Sequence, residues 1–279
     1  MAPKERSGAL IRGLLHDGSI RLLAVVAGTQ AERVRKQHDL NSTAATLASE
    51  GLVATLLLSA ATSGEEKLLM EVAGFEPKFT FSGEATAKGR VRARCHPASM
   101  DPYSSIVGRM VTIKWGEREE LHRGVAEVAH DSIERALHQY FVQSDETRGL
   151  VRIGSRLGSE GSVEFAGGFV VEWAGSGISS DEFDAMIEPL GKADVSDVIS
   201  GIAFGSLLDS PVELLERRSV LTGCSCSLGK VEGTLRSLGA EEIHSMIEEL
   251  GKAEVTCHFC GTTYDISGAR LAELAASLN

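Results

Sequence analysis

Four of the five cysteines of this chain stand in its last quarter as two tight pairs, Cys224 and Cys226 in CSC, and Cys257 and Cys260 in CHFC. Residues 227–256 separate the pairs, enough chain for two small helices. That is what a tetrahedral thiolate zinc site requires, because each pair supplies two sulfurs at once and the fold brings the pairs together. The four residues are therefore read as the ligands of one Zn(2+) ion. Four unrelated core thiols would be the blander reading, but free cysteines scatter through a core rather than pairing at ligand spacing.

The second pair has local support. Residues 253–256 and 262–266 are short apolar and β-branched runs on either side of CHFCG. They predict a zinc knuckle at a hairpin tip, with Gly261 free to take positive φ. The first pair is less ordinary: a CxC spacing lets two sulfurs close a very small, strained disulfide ring when the metal leaves. A purely structural ribbon more usually carries CxxC twice.

The chain has 279 residues, room for one large domain and a smaller one. Its formal charge is −11, from 28 Lys and Arg against 39 Asp and Glu. Basic against acidic residues run 21 to 22 before Gly175, 3 to 9 over residues 175–218 and 4 to 8 from Ser219 onward. A zinc ribbon that grips phosphates should be basic, so the acidic second half argues against nucleic acid as a partner. The amino terminus MAPKERSGAL lacks the apolar core of a signal peptide, and no other stretch is both long and free of polar residues. The expectation is a soluble, cytoplasmic protein without a membrane partner. In a reducing compartment, clustered cysteines are metal ligands or a redox device rather than permanent disulfides.

Residues 19–26 (SIRLLAVV) follow a turn at Asp17 and Gly18 and read as a strand, and residues 30–38 as a polar helix. From an N-cap at Asn41 or Ser42, the run to Thr62 is apolar on nearly every face, which predicts a central buried helix. Ser49, Glu50, Gly51, Thr55 and Ser59 interrupt it too often for a membrane span. Short strand-like runs follow over 67–72, 78–82, 89–94, 110–115 and 123–128. Residues 131–143 return to helical spacing, with Asp131 and Glu134 placed as a capping box, before strands resume over 149–153 and 163–173. Residues 1–174 are thus expected to form one α+β domain, with the buried helix packed on or between antiparallel sheets. It contains no phosphate loop, dinucleotide fingerprint or nucleophile elbow, and the chain is not read as an enzyme.

Residues 175–218 are expected to be a linker of three helices. Ser179 with Glu182 caps the first, Asp194 starts the second, and Ser210, Pro211 and Glu213 supply an N-cap, an N1 proline and a capping box for the third. Phe183, Met186, Ile187, Val195, Val198, Ile199, Ile202, Phe204, Leu207 and Leu208 provide apolar faces. Gly201 and Gly205, placed inside the second helix, each cost about 1 kcal/mol relative to Ala, so these helices depend on docking. The zinc-binding domain, 219–279, is read as helices over 227–238 and 240–250, each followed by a glycine suited to the C-terminal cap. Its large apolar residues are few, so it is expected to fold because metal binds.

The order CSC, two helices and CHFCGTTYDI, behind an acidic helical linker, resembles the 33 kDa heat-shock chaperonin family. Upstream, HDLNSTAATLASEGLVATLLLSA, GEATAKGRVRA, YFVQSDET and AGGFVVE resemble that family's first domain in the same order. The likeness spans essentially the whole chain. It departs at Gly74–Pro77, where GFEP stands in place of a GDGP-like turn, and in having Cys95 outside the motif.

The resemblance implies an ATP-independent holdase chaperone, inactive while reduced and zinc-bound. It implies that oxidants such as peroxide or hypochlorous acid, together with partial unfolding, form one disulfide within each cysteine pair and expel zinc. The zinc domain and linker then unfold, the protein becomes a homodimer, and apolar surface binds unfolding client proteins. Cys224, Cys226, Cys257 and Cys260 are by this carry-over both metal ligands and redox-active cysteines, and residues 1–174 are expected to stay folded.

Blander residues are set beside these. His258 and His244 are read as solvent-facing, because four cysteines already complete a tetrahedron. Cys95, although next to Arg94 and His96, is read as an ordinary thiol. The rival reading is a constitutive zinc ribbon docking a protein or nucleic-acid partner. A zinc hydrolase or deaminase is excluded by the closed thiolate set and the missing HxE signature.

Overall fold

The computed structural model describes residues 8–145, 148–203 and 205–278. The first seven residues of MAPKERSGAL, the end of YFVQSDET and Phe204 lie outside them. The chain divides into two compact units, Met1–Gly223 and Cys224–Asn279.

The first unit opens with strands β1 (Gly8–Leu15) and β2 (Ile20–Val26), then helices α1 (Gly28–Gln37) and α2 (Ser42–Leu58). Five strands follow, β3 (Lys67–Glu76), β4 (Lys78–Thr86), β5 (Arg90–His96), β6 (Ile106–Trp115) and β7 (Glu120–His130), with the chain crossing back after β5 so that β6 pairs with β3. Helix α3 (Ile133–Asp145), strands β8 (Gly149–Leu157) and β9 (Val163–Trp173), and helices α4 (Ser180–Lys192) and α5 (Val195–Ala203) come next. A two-stranded ribbon, β10 (Ser206–Leu207) with β11 (Ser210–Pro211), leads into β12 (Glu213–Thr222). The strands form one ten-stranded sheet in the order β7-β6-β3-β4-β5-β12-β1-β2-β9-β8. Its pairings are antiparallel except β12 against β5, where Leu221 faces Arg90 and Thr222 faces Val91.

The near-continuous apolar run of β2 reflects burial on both faces. Leu23 and Val25 point to the cluster around α2, whereas Ile20, Leu22 and Ala24 point to a second cluster with Phe183, Val195, Val198, Ile199 and Ile202 from α4 and α5. In β9, Val170 joins the first cluster and Phe169 and Val171 the second. The expected linker helices are thus docked on the back of the sheet, and each fully buried side chain there contributes about 1.5–3 kcal/mol.

Helix α2 is capped by Asn41, whose Oδ1 accepts from Ala44 N at 3.0 Å. Ser42–Ala61 is long and apolar enough to cross a bilayer, yet 83% of its most apolar window is buried inside the protein. A β-carbon on Gly51 would stand 2.7 Å from the Phe81 ring, so the glycine is what lets α2 lie this close to β4.

Three sequence expectations change. The third linker helix is instead strand β12, hydrogen-bonded to β1 along residues 213–220 and to β5 beyond. Two open strand edges outcompete a local capping signal, because they satisfy the backbone of the whole segment. Gly205 lies past the end of α5 with φ +83°, closing the helix rather than weakening it. For α3 the cap is Ser132, whose Oγ accepts from Arg135 N, while Glu134 turns away to accept from Ile153 N. The Ser179 and Glu182 capping box forms as expected.

The second unit comprises α6 (Leu228–Leu238), α7 (Ala240–Leu250), the hairpin β13 (Lys252–Thr256) and β14 (Thr263–Ser267), and α8 (Gly268–Ala276). Gly251 closes α7 in the left-handed region at φ 68°. The last helix was not expected, and it supplies Leu271, Leu274 and Ala275 to a small core with Val231, Leu235, Ile243, Ala253 and Ile266. Arg270 of α8 also clasps Glu232 of α6 through Nε (2.7 Å) and a terminal nitrogen (3.0 Å), and this bidentate bond lowers the glutamate's pKa.

Candidate metal centre

The knuckle is built by backbone hydrogen bonds. Cys257 N donates to Thr262 O (2.9 Å), and Gly261 N, in a residue with φ 67°, donates to Cys257 O (2.8 Å). This tight turn between β13 and β14 sets Cys257 and Cys260 side by side. The first pair lies on the extended segment before α6, ended by Ser227, whose side chain caps that helix at Lys230 N. Lys230 folds back onto the pair, its Nζ donating to Ser225 O at 2.6 Å.

The four sulfurs lie within 4.8 Å of one another. Cys224 Sγ stands 3.6 Å from Cys257 Sγ, and Cys226 Sγ 3.3 Å from Cys260 Sγ. Sulfurs about 2.3 Å from a tetrahedral zinc would be about 3.8 Å apart, so the donor set and spacing both fit a metal of that kind. All four residues are half-buried. His244 and His258 are exposed, as expected.

Two hydroxyls reach the cluster. Tyr264 Oη donates to Cys226 Sγ at 3.1 Å, and the Cys260 thiol donates to Thr262 Oγ1 at 3.2 Å. Cys226 is pushed up to about 12: the Tyr264 bond lowers it, but burial and the neighbouring sulfurs outweigh that. Cys260 falls to about 6, since burial raises it but Thr262 and the adjacent cysteines pull it down further. The cluster thus yields one proton easily and resists the next, as like charges held this close must. Cys95 is a different thiol, buried among core residues and pushed up to about 12 by that burial, which disfavours the reactive thiolate. Tyr264, Thr262 and Lys230 were not picked out from the sequence; the hydroxyls beside CHFC were the only available hint.

The Hsp33 protein family matches residues 8–267 of the chain. The chain belongs to the Hsp33 family. Among its relatives, the 33 kDa chaperonin of Bacillus velezensis is 27% identical over 283 residues, covering 95% of this chain and 97% of the relative. The 33 kDa chaperonin of Staphylococcus haemolyticus is 28% identical, covering 97% and 98%. The crystal structure of the Thermotoga maritima 33 kDa chaperonin superposes with a TM-score of 0.81 at 20% identity over 98% of this chain and 99% of that one, a likeness of fold. Hsp33 membership supports a chaperone role, and the four-cysteine cluster of this Hsp33 chain is able to bind a metal ion.

Proposed function

We propose that this chain is a redox-regulated holdase in which Cys224, Cys226, Cys257 and Cys260 are at once zinc ligands and the oxidant sensor. The observation that supports it is the convergence of four half-buried sulfurs within 4.8 Å in an Hsp33 chain. Bound zinc would hold the four sulfurs as thiolates, the reactive form. With a peroxide, one thiolate sulfur attacks oxygen, the O–O bond breaks and hydroxide leaves, giving a sulfenic acid. A second thiolate then attacks that sulfur, a disulfide forms and another hydroxide leaves. We place the disulfides within the pairs, Cys224 with Cys226 and Cys257 with Cys260. Close sulfur contacts of 3.6 and 3.3 Å run between the pairs, but only the local partners stay tethered once the metal no longer holds both segments.

Each disulfide removes two ligands, and with them the metal's share of the second unit's stability. The functional division we favour is 1–174 as chaperone core, 175–218 as linker, of which α4 and α5 are the releasable part, and 219–279 as switch, with β12 (213–222) staying in the sheet. Cys224 follows β12 by two residues, and Gly223 N still donates to Val91 O of the sheet, so disorder in the switch starts at the end of a strand. Release of α4 and α5 would bare both their own apolar faces and the sheet face under them, with Ile20, Leu22, Phe169 and Val171. Such surface suits unfolding client proteins and a homodimer of the oxidised form. The acidic linker keeps the opened protein soluble and unsuited to nucleic acid, and we place it in the cytoplasm, without membrane or enzymatic function.

The test compares reduced and oxidised protein for zinc content and for suppression of aggregation of a heat-denatured client without ATP. Zinc should be present and activity low in the reduced form, with both reversed on oxidation. Equal protection by the two forms, or full zinc in a variant lacking both Cys257 and Cys260, would overturn the reading.

A further inference from the structure

The hairpin that carries the second cysteine pair also places an aromatic hydroxyl on the first. Tyr264 lies on β14 opposite Val255, and its ring packs on the apolar cluster of the second unit. Its Oη donates to Cys226 Sγ, 3.1 Å away and 38 residues earlier in the chain. The ring alone would satisfy the packing. The hydroxyl has a separate role, because it reaches a sulfur that belongs to the other cysteine pair.

We propose that Tyr264 is a positioning residue that sets how readily the switch is oxidised, by holding a hydrogen bond on the Cys226 sulfur. This rests on reading the cluster as a metal-thiolate redox site. A hydroxyl donated to a thiolate draws charge from the sulfur lone pair, and a less basic thiolate is a poorer nucleophile. Attack by Cys226 forms an S–O bond with one peroxide oxygen while the O–O bond breaks and its electron pair leaves with hydroxide. The phenol keeps its proton throughout, but its bond to sulfur weakens as the sulfur's charge moves to oxygen. The bond is thus stronger before attack than during it, which slows the step. The same donor orients the ligand, and loss of such outer contacts typically weakens metal binding 10–100-fold. Cys260 differs, because there the thiol donates to Thr262 Oγ1 at 3.2 Å.

The experiment compares three side chains at position 264 in the full-length, reduced, zinc-loaded protein: the native Tyr, the Tyr264→Phe variant, and a site-specifically incorporated 3-fluorotyrosine, which keeps ring and hydroxyl but donates more strongly. Zinc release by hydrogen peroxide, zinc transfer to a chelator without oxidant, and the thiolate-to-metal absorption of the cobalt-substituted protein are measured. Tyr264→Phe should release zinc to peroxide about tenfold faster, the effect expected for losing one hydrogen bond to a charged group. Fluorotyrosine should slow release below the native rate, and the cobalt band should move to lower energy in the Phe variant. Rates within twofold across all three, with an unmoved band, overturn the inference while leaving the switch intact. Failure of the native protein to hold zinc, or to release it to peroxide, overturns both. Should Tyr264→Phe fail to load metal, the native and fluorotyrosine proteins decide the matter, because equal rates in that pair count against the hydrogen bond.

Discussion

The guanidinium of Arg152 on β8 donates to the carbonyl oxygen of Leu190 at the end of α4, 2.9 Å away. It also reaches Gly191 O and pairs with Glu134 of α3 at 3.3 Å, and Glu134 accepts from Ile153 N at 2.5 Å. One side chain thus satisfies helix-end carbonyls of α4 and ties them to α3 and β8. Replacing it as Arg152→Met should loosen α4 by about 1.5–3 kcal/mol, the worth of hydrogen bonds from a charged group. Hydrogen exchange over 180–192 in the reduced protein should rise, and some holdase activity should appear without oxidation. Unchanged exchange there would show that the apolar face alone holds the helix.

Disulfide mapping of peroxide-treated protein should find Cys224 joined to Cys226 and Cys257 to Cys260, with Cys95 free. Burial disfavours the reactive thiolate of Cys95. A dominant Cys226–Cys260 link would mean that the 3.3 Å resting contact, rather than the tether, selects the partner.

Oxidation should open the second half unevenly. Residues 180–203 and 224–278 should lose amide protection, while α2 keeps it. The expectation from sequence had all of 175–279 opening together, but β12 is hydrogen-bonded on both edges inside the ten-stranded sheet. It should therefore stay protected. Loss of protection in β12 together with β1 and β5 would instead mean that the sheet splits at its parallel junction.

Glu50 of α2 should make stability fall as pH rises toward neutrality. Its carboxyl is pushed from 4.5 up to about 7, chiefly by burial and then by the charge of Glu134, against a hydrogen bond from Ser155. It lines a cavity of about 360 Å³ with Ser42, Thr46, Tyr103 and Asp131. The folded protein keeps this proton between pH 4.5 and 7 while the unfolded chain has lost it, so the stabilisation is complete below 4.5 and is lost as pH rises through 7. The shift is worth at most about 3 kcal/mol, and less to the extent that water enters the cavity. Glu50→Gln should flatten the denaturation profile over this window; an unchanged profile would show that Glu50 ionises normally.

Much of the site was legible locally. CxC and CxxC spacing, β-branched flanks and Gly261 specify a thiolate knuckle because all of them act within a few residues. The apolar run of α2 and its Asn41 cap are local in the same sense. By contrast, the cap signal at Ser210, Pro211 and Glu213 misled, and the Asp131 cap was one residue off, because neighbouring strands and Ile153 N compete for the same polar groups.

The sequence by itself determined that four cysteines would meet, that a buried helix would run from Asn41 or Ser42 toward Thr62, and that acidity would gather in the second half. Only the tertiary structure decided that residues 213–222 close a sheet instead of forming a helix, that α4 and α5 rest on the back of that sheet, that α8 gives the second unit a core, and that Tyr264 reaches Cys226. The first group follows from side-chain type and spacing along a short stretch. The second depends on which partners a segment meets after the chain has closed over many residues, and hydrogen-bonding edges and apolar faces then outweigh local preferences of about 1 kcal/mol.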